Sequence, residues 1–387
     1  MSQAPPSRRT VVGAMTGTSL DAIDVAVATI EGTGLGMRAR LRRHRATDLG
    51  PLRDDLREAA CGQPMTAQRF AGLAGKLGRR YEAAIAAATE TAGPIALIAV
   101  HGQTVFHRPP FSWQLIDPTR IARRFGCPVV SDLRQADLAA GGEGAPITPL
   151  ADWVLFRAEG ETPRARAIVN LGGFCNVTVL KKESHEATKQ RSDEGERPAG
   201  VSGFDVCACN QVLDAVARAV LGTRFDEDGQ AARRGRTVAD AVDPLHRLLR
   251  EQRLGARSLG TGDEALGWVQ THRRAVAPAD LAASAVAAVA RCIGDSLDDA
   301  AVDEVYVAGG GARNPALVEA LAGHCRAPVA RCDRLGVAVE ARESLAMAVL
   351  GALSADGVAI TLPSVTGCHD PAPVAGRWCL PSGLSAP

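Results

Sequence analysis

Charge of one sign is missing from this chain. Its 387 residues hold 44 lysines and arginines against 43 aspartates and glutamates. Without a basic field there is no electrostatic footprint for nucleic acid or an anionic membrane, so a small-molecule partner is expected. Long apolar runs are missing too: none reaches the roughly 18 residues that a membrane span needs. Met1 to Thr10 carries Arg8 and Arg9 but no apolar core of the kind a secretory signal requires, so the chain reads as cytoplasmic. The ten cysteines are scattered, and the close pair Cys207 and Cys209 is C-x-C with no matching second half. That pattern argues against structural zinc and for reduced, mostly buried thiols. Neither G-x-G-x-x-G nor a Walker lysine is present, and Asp226-Glu227-Asp228-Gly229 lacks the remaining positions of a calcium loop.

With 46% apolar residues, the chain can bury a full core and is long enough for two domains. Its opening stretch, Val11 to Ala28, runs apolar, turns through Thr16-Gly17-Thr18-Ser19-Leu20-Asp21, and runs apolar again with period 2. Such a hairpin brings backbone N–H groups and hydroxyls into one concavity that suits phosphate. Asp21 and Asp24 at its lip are the candidate ligands for Mg²⁺, directly or through water. An ordinary hairpin turn draws on the same residue types. Ala167 to Leu180 repeats the design through Asn170, Gly172 and Gly173, a weak internal repeat. Glu304 to Ala308 then reads as a buried strand entering Gly309-Gly310-Gly311 and a helix after Asn314. Glycine there lets the backbone approach a nucleotide closely, with a helix N-terminus facing it.

Between these loops lie polar residues at strand ends, where open α/β sheets place ligands. Ile95 to Val100 is a buried strand that ends in His101-Gly102-Gln103-Thr104. His101 and His107 are candidate ligands or bases, or else hydrogen-bonded structural histidines. Arg134, with its bidentate fork, is the candidate for gripping an anionic or hydroxyl-rich substrate; the alternative is a surface pair with Asp137. Asp205 reads as a carboxylate in a turn just before a helix, whose positive end favours its ionised form. It is the candidate general base, the alternative being an N-cap. Lys181 to Gly200 reads as a long exposed loop, and Leu259 to Glu264 as a polar turn.

Two strand-turn-strand loops and a strand-GGG-helix loop resemble the actin/hexokinase/Hsp70 superfamily of ATPases. Within it the chain resembles the anhydro-N-acetylmuramic acid kinases. The motifs that carry this run in order: Met15 to Asp21, His101 to Val105, Gly141-Gly142-Glu143-Gly144-Ala145-Pro146, Asn170 to Gly173, Gly203-Phe204-Asp205, Gly309 to Asn314, and Glu343 at the head of the last long helix. The resemblance implies an α/β, two-lobed, ribonuclease H-like fold. One lobe would span 1–135 plus 345–387 and the other 136–344. It also implies a cytoplasmic kinase that uses ATP and Mg²⁺, opens the anhydro bond of its sugar while phosphorylating it, and serves peptidoglycan recycling, with a homodimer possible. Asp205 would deprotonate the attacking water; Thr16 to Asp21, Asn170, Gly172, Gly173, Gly309 to Gly311 and Asn314 would meet the nucleotide; His101, Arg134 and Glu343 would face the sugar. Ala22 replaces the family's usual glycine, and Val206-Cys207-Ala208-Cys209 replaces a Thr-Gly-Pro turn. The alternatives are a kinase for another anhydrosugar, such as levoglucosan, and a non-catalytic ATP-binding homologue.

Overall fold

The structure, a computed structural model, describes residues 8–17, 20–157, 164–181, 198, 200–254, 265–369 and 372–383. The chain divides into two compact units, Met1–Arg157 with Glu183–Val201 and Ala341–Pro387, and Ala158–Lys182 with Ser202–Glu340. The crossings therefore fall later and earlier than the 135 and 345 drawn from the sequence. One physical reason lies in Arg342, which is fully buried. Its guanidinium donates through Nε to Asp152 Oδ1 at 2.8 Å, through Nη2 to Thr148 Oγ1 at 2.9 Å, and to the second oxygen of Asp152. This ties the helix Pro149–Phe156 to the helix Arg342–Ala355 inside the first unit.

The strands are β1 (Arg8–Thr16), β2 (Ala22–Glu31), β3 (Arg38–Asp48), β4 (Leu97–His101), β5 (Gln103–Arg108), β6 (Phe111–Leu115), β7 (Val129–Ser131), β8 (Arg166–Leu171), β9 (Phe174–Leu180), β10 (Val201–Ala208), β11 (Glu304–Ala308), β12 (Val329–Arg331) and β13 (Arg377–Cys379). The first unit's sheet has the order β13-β7-β4-β1-β2-β3, and the second sheet has β10-β9-β8-β11-β12. In the first, β1 runs antiparallel to β2 and parallel to β4, which runs parallel to β7. In the second, β8 runs antiparallel to β9 and parallel to β11, which runs parallel to β12. The two sheets are thus the same ribonuclease H-like arrangement built twice, and the hairpin repeat seen in the sequence is its visible part.

The strand interiors explain the arrangement. Ile98, Ala99 and Val100 of β4, and Ala167, Ile168 and Val169 of β8, are fully buried, as central parallel strands with both faces covered must be. Arginine-rich β3 forms an edge, where charge blocks further pairing. The helix Ala67–Thr89 is capped by Thr66, which accepts from Arg69 N, and buries Leu73, Leu77, Tyr81 and Ile85 at helical spacing. Among the described residues, no helix is long and apolar enough to cross a membrane.

One approach in the first unit is closer than any side chain allows. A Cβ on Gly13 of β1 would lie 2.0 Å from the carbonyl oxygen of Ser344 and 2.5 Å from the nitrogen of Ala348. Strand and helix touch there backbone to backbone. Gly13→Ala should cost about 3 kcal/mol of unfolding free energy, the upper part of the overpacking range. Asp152→Ala, which leaves the buried Arg342 charge without its carboxylate, should cost about 3–5 kcal/mol. Urea titration followed by tryptophan fluorescence reads both; midpoints within error of the parent would show that strand and helix part freely, or that Arg342 finds another partner.

Candidate active site

In the first unit, the candidate residues gather at the carboxyl ends of the parallel strands. Met15 lies beside His101 in the β1–β4 register, so Thr16 and His101 are neighbours at the carboxyl ends of two central strands. Both are buried. The Tyr81 hydroxyl joins them: it donates to the His101 carbonyl at 2.8 Å and shares a 3.2 Å hydrogen bond with the Thr16 hydroxyl. The following loop turns through Gly17, whose carbonyl accepts from Leu20 N at 3.2 Å. Leu20 has φ +56°, a left-handed conformation uncommon for a branched side chain and found at sites held by their surroundings. Arg53 supplies that hold, donating from Nε to the Leu20 carbonyl at 2.9 Å and from Nη2 to the Asp21 carbonyl at 3.0 Å. Thr18 and Ser19 lie outside the described residues. Asp21 is exposed at the loop's end. Asp24 sits within β2, and its Oδ1 is 3.0 Å from Nε2 of His44, so it is engaged inside the sheet and not at the loop's lip.

Arg134 follows β7 and donates from Nε to His101 Nε2 at 3.0 Å and from Nη1 to the Gly144 carbonyl at 2.6 Å. The surface pair with Asp137 is not formed. Asp137 is fully buried and accepts instead from Gly144 N and from the Thr366 hydroxyl, each at 2.6 Å. This folds the Gly141–Pro146 turn back toward His101. Glu343 stands in the first turn of the helix Arg342–Ala355, where a carboxylate suits the positive helix end.

The Arg134 contact decides the state of His101. A nitrogen that accepts from a guanidinium carries no proton, so Nε2 is the acceptor and the ring proton sits on Nδ1. Burial, and then the Arg134 charge, push the His101 pKa down to about 3. Nδ1 is itself buried and has no partner among the described residues. The site therefore offers a neutral imidazole with one unpaired N–H donor.

In the second unit, the loops after β8 and β11 meet. Asn170 of β8 pairs in register with Ala308 of β11, and its Oδ1 is buried with no partner among the described residues. The carbonyl of Gly172 accepts from Asn210 N at 3.0 Å, and that of Gly173 accepts from Cys209 N at 2.8 Å. Asn210 also donates from Nδ2 to the Leu171 carbonyl at 3.0 Å, pinning the turn to the start of the helix Asn210–Val216. Gly309 has φ +81°, and a Cβ there would lie 2.6 Å from Asn170 Oδ1; only glycine lets the two loops close. Gly310 and Gly311 continue as a short 3₁₀ turn. Asn314 is the N-cap of the helix Pro315–His324, its Oδ1 accepting from Leu317 N at 3.2 Å, so this oxygen is already committed.

Asp205 is not where the sequence reading put it. It lies inside β10, half-buried, five residues before the helix, and is neither a turn residue nor the N-cap, which is Cys209. Val206, Cys207 and Ala208 are fully buried and contain no glycine or proline, so the chain stays extended through them. The Leu259–Glu264 turn and most of the loop from 181 to 200 lie outside the described residues. Sequence reasoning missed Tyr81, Arg53 and Asn210 as parts of the site. Tyr81 was readable only as a core residue at helical spacing; its one distinguishing sign is a hydroxyl on an otherwise apolar face.

The family model for anhydro-N-acetylmuramic acid kinase matches residues 9–376 of this chain. The chain belongs to that family. Curated members named anhydro-N-acetylmuramic acid kinase include one from Salinibacter ruber, 34% identical over 395 residues and covering 95% of this chain and 96% of its own. Another, from Streptomyces avermitilis, is 35% identical over 383 residues, covering 93% and 92%. A third, from a Synechococcus strain, is 34% identical over 379 residues, covering 92% and 96%. The chain is therefore a kinase, and the matched span takes in the loops of both units.

His101 titrates far below an exposed histidine, near 6.5. Between those two values the unfolded chain binds a proton that the folded chain refuses, so this group's contribution to stability is whole above pH 6.5 and is lost as pH falls toward 3. ¹H–¹⁵N correlation of the kinase at pH 5.5 should show His101 neutral with its proton on Nδ1. A doubly protonated ring at that pH would break the Arg134 assignment.

Proposed function

We propose that this kinase opens the 1,6-anhydro ring of 1,6-anhydro-N-acetylmuramic acid with water and transfers the γ-phosphoryl group of ATP to O6. The product is N-acetylmuramic acid 6-phosphate. The observation that carries the reading is the doubled sheet with both of its hairpin loops and the glycine loop after β11 in a chain of this family. Asp205 takes a proton from water as the water oxygen bonds to the anomeric carbon. The bond from that carbon to O6 breaks, O6 attacks the γ-phosphorus, and ADP leaves. What this transfer asks of a protein is mainly positioning and charge stabilisation by backbone N–H groups and cations. The turns at Gly17–Asp21, Gly172–Gly173 and Gly309–Gly311 are suited to that work, while His101 and Arg134 offer hydrogen bonds to the sugar, with Glu343 the third sugar-facing candidate.

Mg²⁺ fits this donor set in a limited way. The described residues contain no cluster of three or more carboxylate, histidine or cysteine ligands. Asp24 is engaged by His44, which leaves Asp21 as the protein carboxylate for an ion held mostly by phosphate and water. Such an ion neutralises phosphate charge when bound. A cytoplasmic role in peptidoglycan recycling follows from this substrate, and a homodimer is the expected assembly from family kinship.

Asp205→Asn keeps the shape of the strand and removes the base. Its kcat should fall about 10²–10⁴-fold with little change in melting temperature. Run in ¹⁸O water, the parent enzyme should place the label on the anomeric hydroxyl. Full turnover by Asp205→Asn, or label absent from that hydroxyl, overturns the base assignment. ATP binding with no ADP release on any anhydrosugar would make the chain a non-catalytic homologue.

A further inference from the structure

The turn Gly141-Gly142-Glu143-Gly144-Ala145-Pro146 is half glycine and depends on its neighbours for its shape. Gly141 and Gly144 sit at φ +79° and +70°, and glycine has more backbone freedom to lose on ordering than any other residue. Yet one atom of this turn must be placed closely. The Gly144 carbonyl accepts from Arg134 Nη1 at 2.6 Å. Nε of the same guanidinium donates to His101 Nε2 at 3.0 Å. The fork is planar and rigid, so a carbonyl that drifts takes the partner of His101 with it.

The hold on this turn comes from the far end of the chain. Glu143 N donates to the Thr366 carbonyl at 3.0 Å, and His369 N donates to the Ala140 carbonyl at 2.7 Å. These backbone bonds grip the turn on both sides of its glycine pair. Between them the Thr366 hydroxyl bonds to Asp137 Oδ1 at 2.6 Å, while Gly144 N donates to Asp137 Oδ2 at 2.6 Å. Asp137 is fully buried and Thr366 is 4% exposed. A Cβ on Gly142 would lie 2.3 Å from Asp137 Oδ2, and one on Gly141 would lie 3.1 Å from the His369 ring, so the turn is packed against both. Thr366 is itself fixed: it ends the helical turn Pro363–Thr366, and its N–H donates to the Leu362 carbonyl at 3.1 Å. Asp137 and Thr366 are 229 residues apart, so no local turn preference makes this bond. A buried carboxyl group is costly to keep, and an apolar pair of similar volume would fill the same space. What the carboxyl group adds is direction, because its two oxygens set the Thr366 hydroxyl and the Gly144 N–H at fixed places.

We infer that Thr366 is a positioning residue for the sugar, acting through Asp137 and the Gly144 turn to aim the Arg134 fork. The sugar half of the inference rests on the kinase reading above. The relay runs from the Thr366 hydroxyl through the Asp137 carboxyl group to the Gly144 amide, and from the Gly144 carbonyl through the Arg134 guanidinium to His101 Nε2. Every donor beyond Asp137 is an N–H that cannot accept, so the direction of each of those bonds is settled by chemistry.

Thr366→Val keeps the shape and removes the hydroxyl. In the full chain at pH 7, long-range ¹H–¹⁵N correlation reports which His101 nitrogen carries the proton. The parent should show Nδ1 alone. The valine variant should show a mixture with Nε2, because an acceptor released by Arg134 takes the proton in part. Calorimetry should show 1,6-anhydro-N-acetylmuramic acid bound about fivefold to tenfold more weakly by the variant, the loss of part of a charge-assisted hydrogen bond, with ATP affinity unchanged. Thr366→Ser, which keeps the hydroxyl, should restore both readouts. Ser364→Ala, in the same helical turn but bonded to the Val201 carbonyl, should change neither. A valine variant that keeps the parent's tautomer or the parent's sugar affinity, whatever its melting temperature, makes Thr366 a structural residue and overturns the inference; equal changes in Ser364→Ala do the same. A parent that binds no anhydrosugar sinks the proposed function, and the tautomer alone then decides whether Thr366 aims Arg134.

Discussion

The hydrogen bond from Arg134 Nε to His101 Nε2 is the contact on which the first unit's site depends. A guanidinium has no acceptor and does not lose its proton, so it dictates what its partner must be. The imidazole can only accept there, which fixes its tautomer, keeps it neutral and leaves Nδ1–H as a donor without a partner among the described residues. The same charge acts on His107. Arg134 is held in turn by the Gly144 carbonyl, and Gly144 by the buried Asp137. A glycine-rich turn far along the chain thereby becomes part of the geometry at the end of β4. Charge, tautomer and loop conformation are one linked arrangement.

The two sheets share a strand order but not a chemistry. At the carboxyl ends of β1, β4 and β7 the first unit sets out a histidine, an arginine and hydroxyls, all groups that hydrogen-bond in specific directions. At the ends of β8 and β11 the second unit sets out glycines and asparagine amides, and its turn carbonyls are used to hold the helix Asn210–Val216. Side chains that discriminate suit a sugar, whereas close backbone approach suits a phosphate chain. In a duplicated fold the loops are free to diverge while the strands keep the core.

The hairpins, the buried strands and the glycine loop were legible because each rests on a local signal. Period-2 patterning marks β2, a fully apolar run marks β4, and a strand followed by three glycines marks β11. What stayed hidden depends on contacts between distant parts of the chain. Arg53 reads as one more surface arginine until its reach to the Leu20 and Asp21 carbonyls is seen. The first crossing between units followed charge and glycine near 135 in the sequence reading, but Arg342, nearly two hundred residues after Asp152, decides where that helix belongs. The facing of β5 was illegible because the bulge between Thr104 and Phe106 breaks the period by which faces are read.

Asp205 shows what a change of residue type does to a site. In place of the Thr-Gly-Pro turn of the family pattern, Val206 to Cys209 are apolar and buried, and strand geometry continues past the carboxylate. Cys175 sits near it, its thiol pushed well up by burial, by Cys209 and Cys292, and by the Asp205 charge itself. Cys207 is raised by its hydrogen bond with Cys292 and then by burial, and burial pushes Cys209 up to about 12. All three thiols stay protonated at neutral pH, so none competes as a nucleophile or a base. Asp205 is the carboxylate among these thiols. A strand hydrogen-bonded into a sheet also holds a side chain in place more firmly than an open loop does. The substitutions after Asp205 therefore exchange loop freedom for a fixed and chemically quiet bed, which is compatible with a base that must meet a water at one angle.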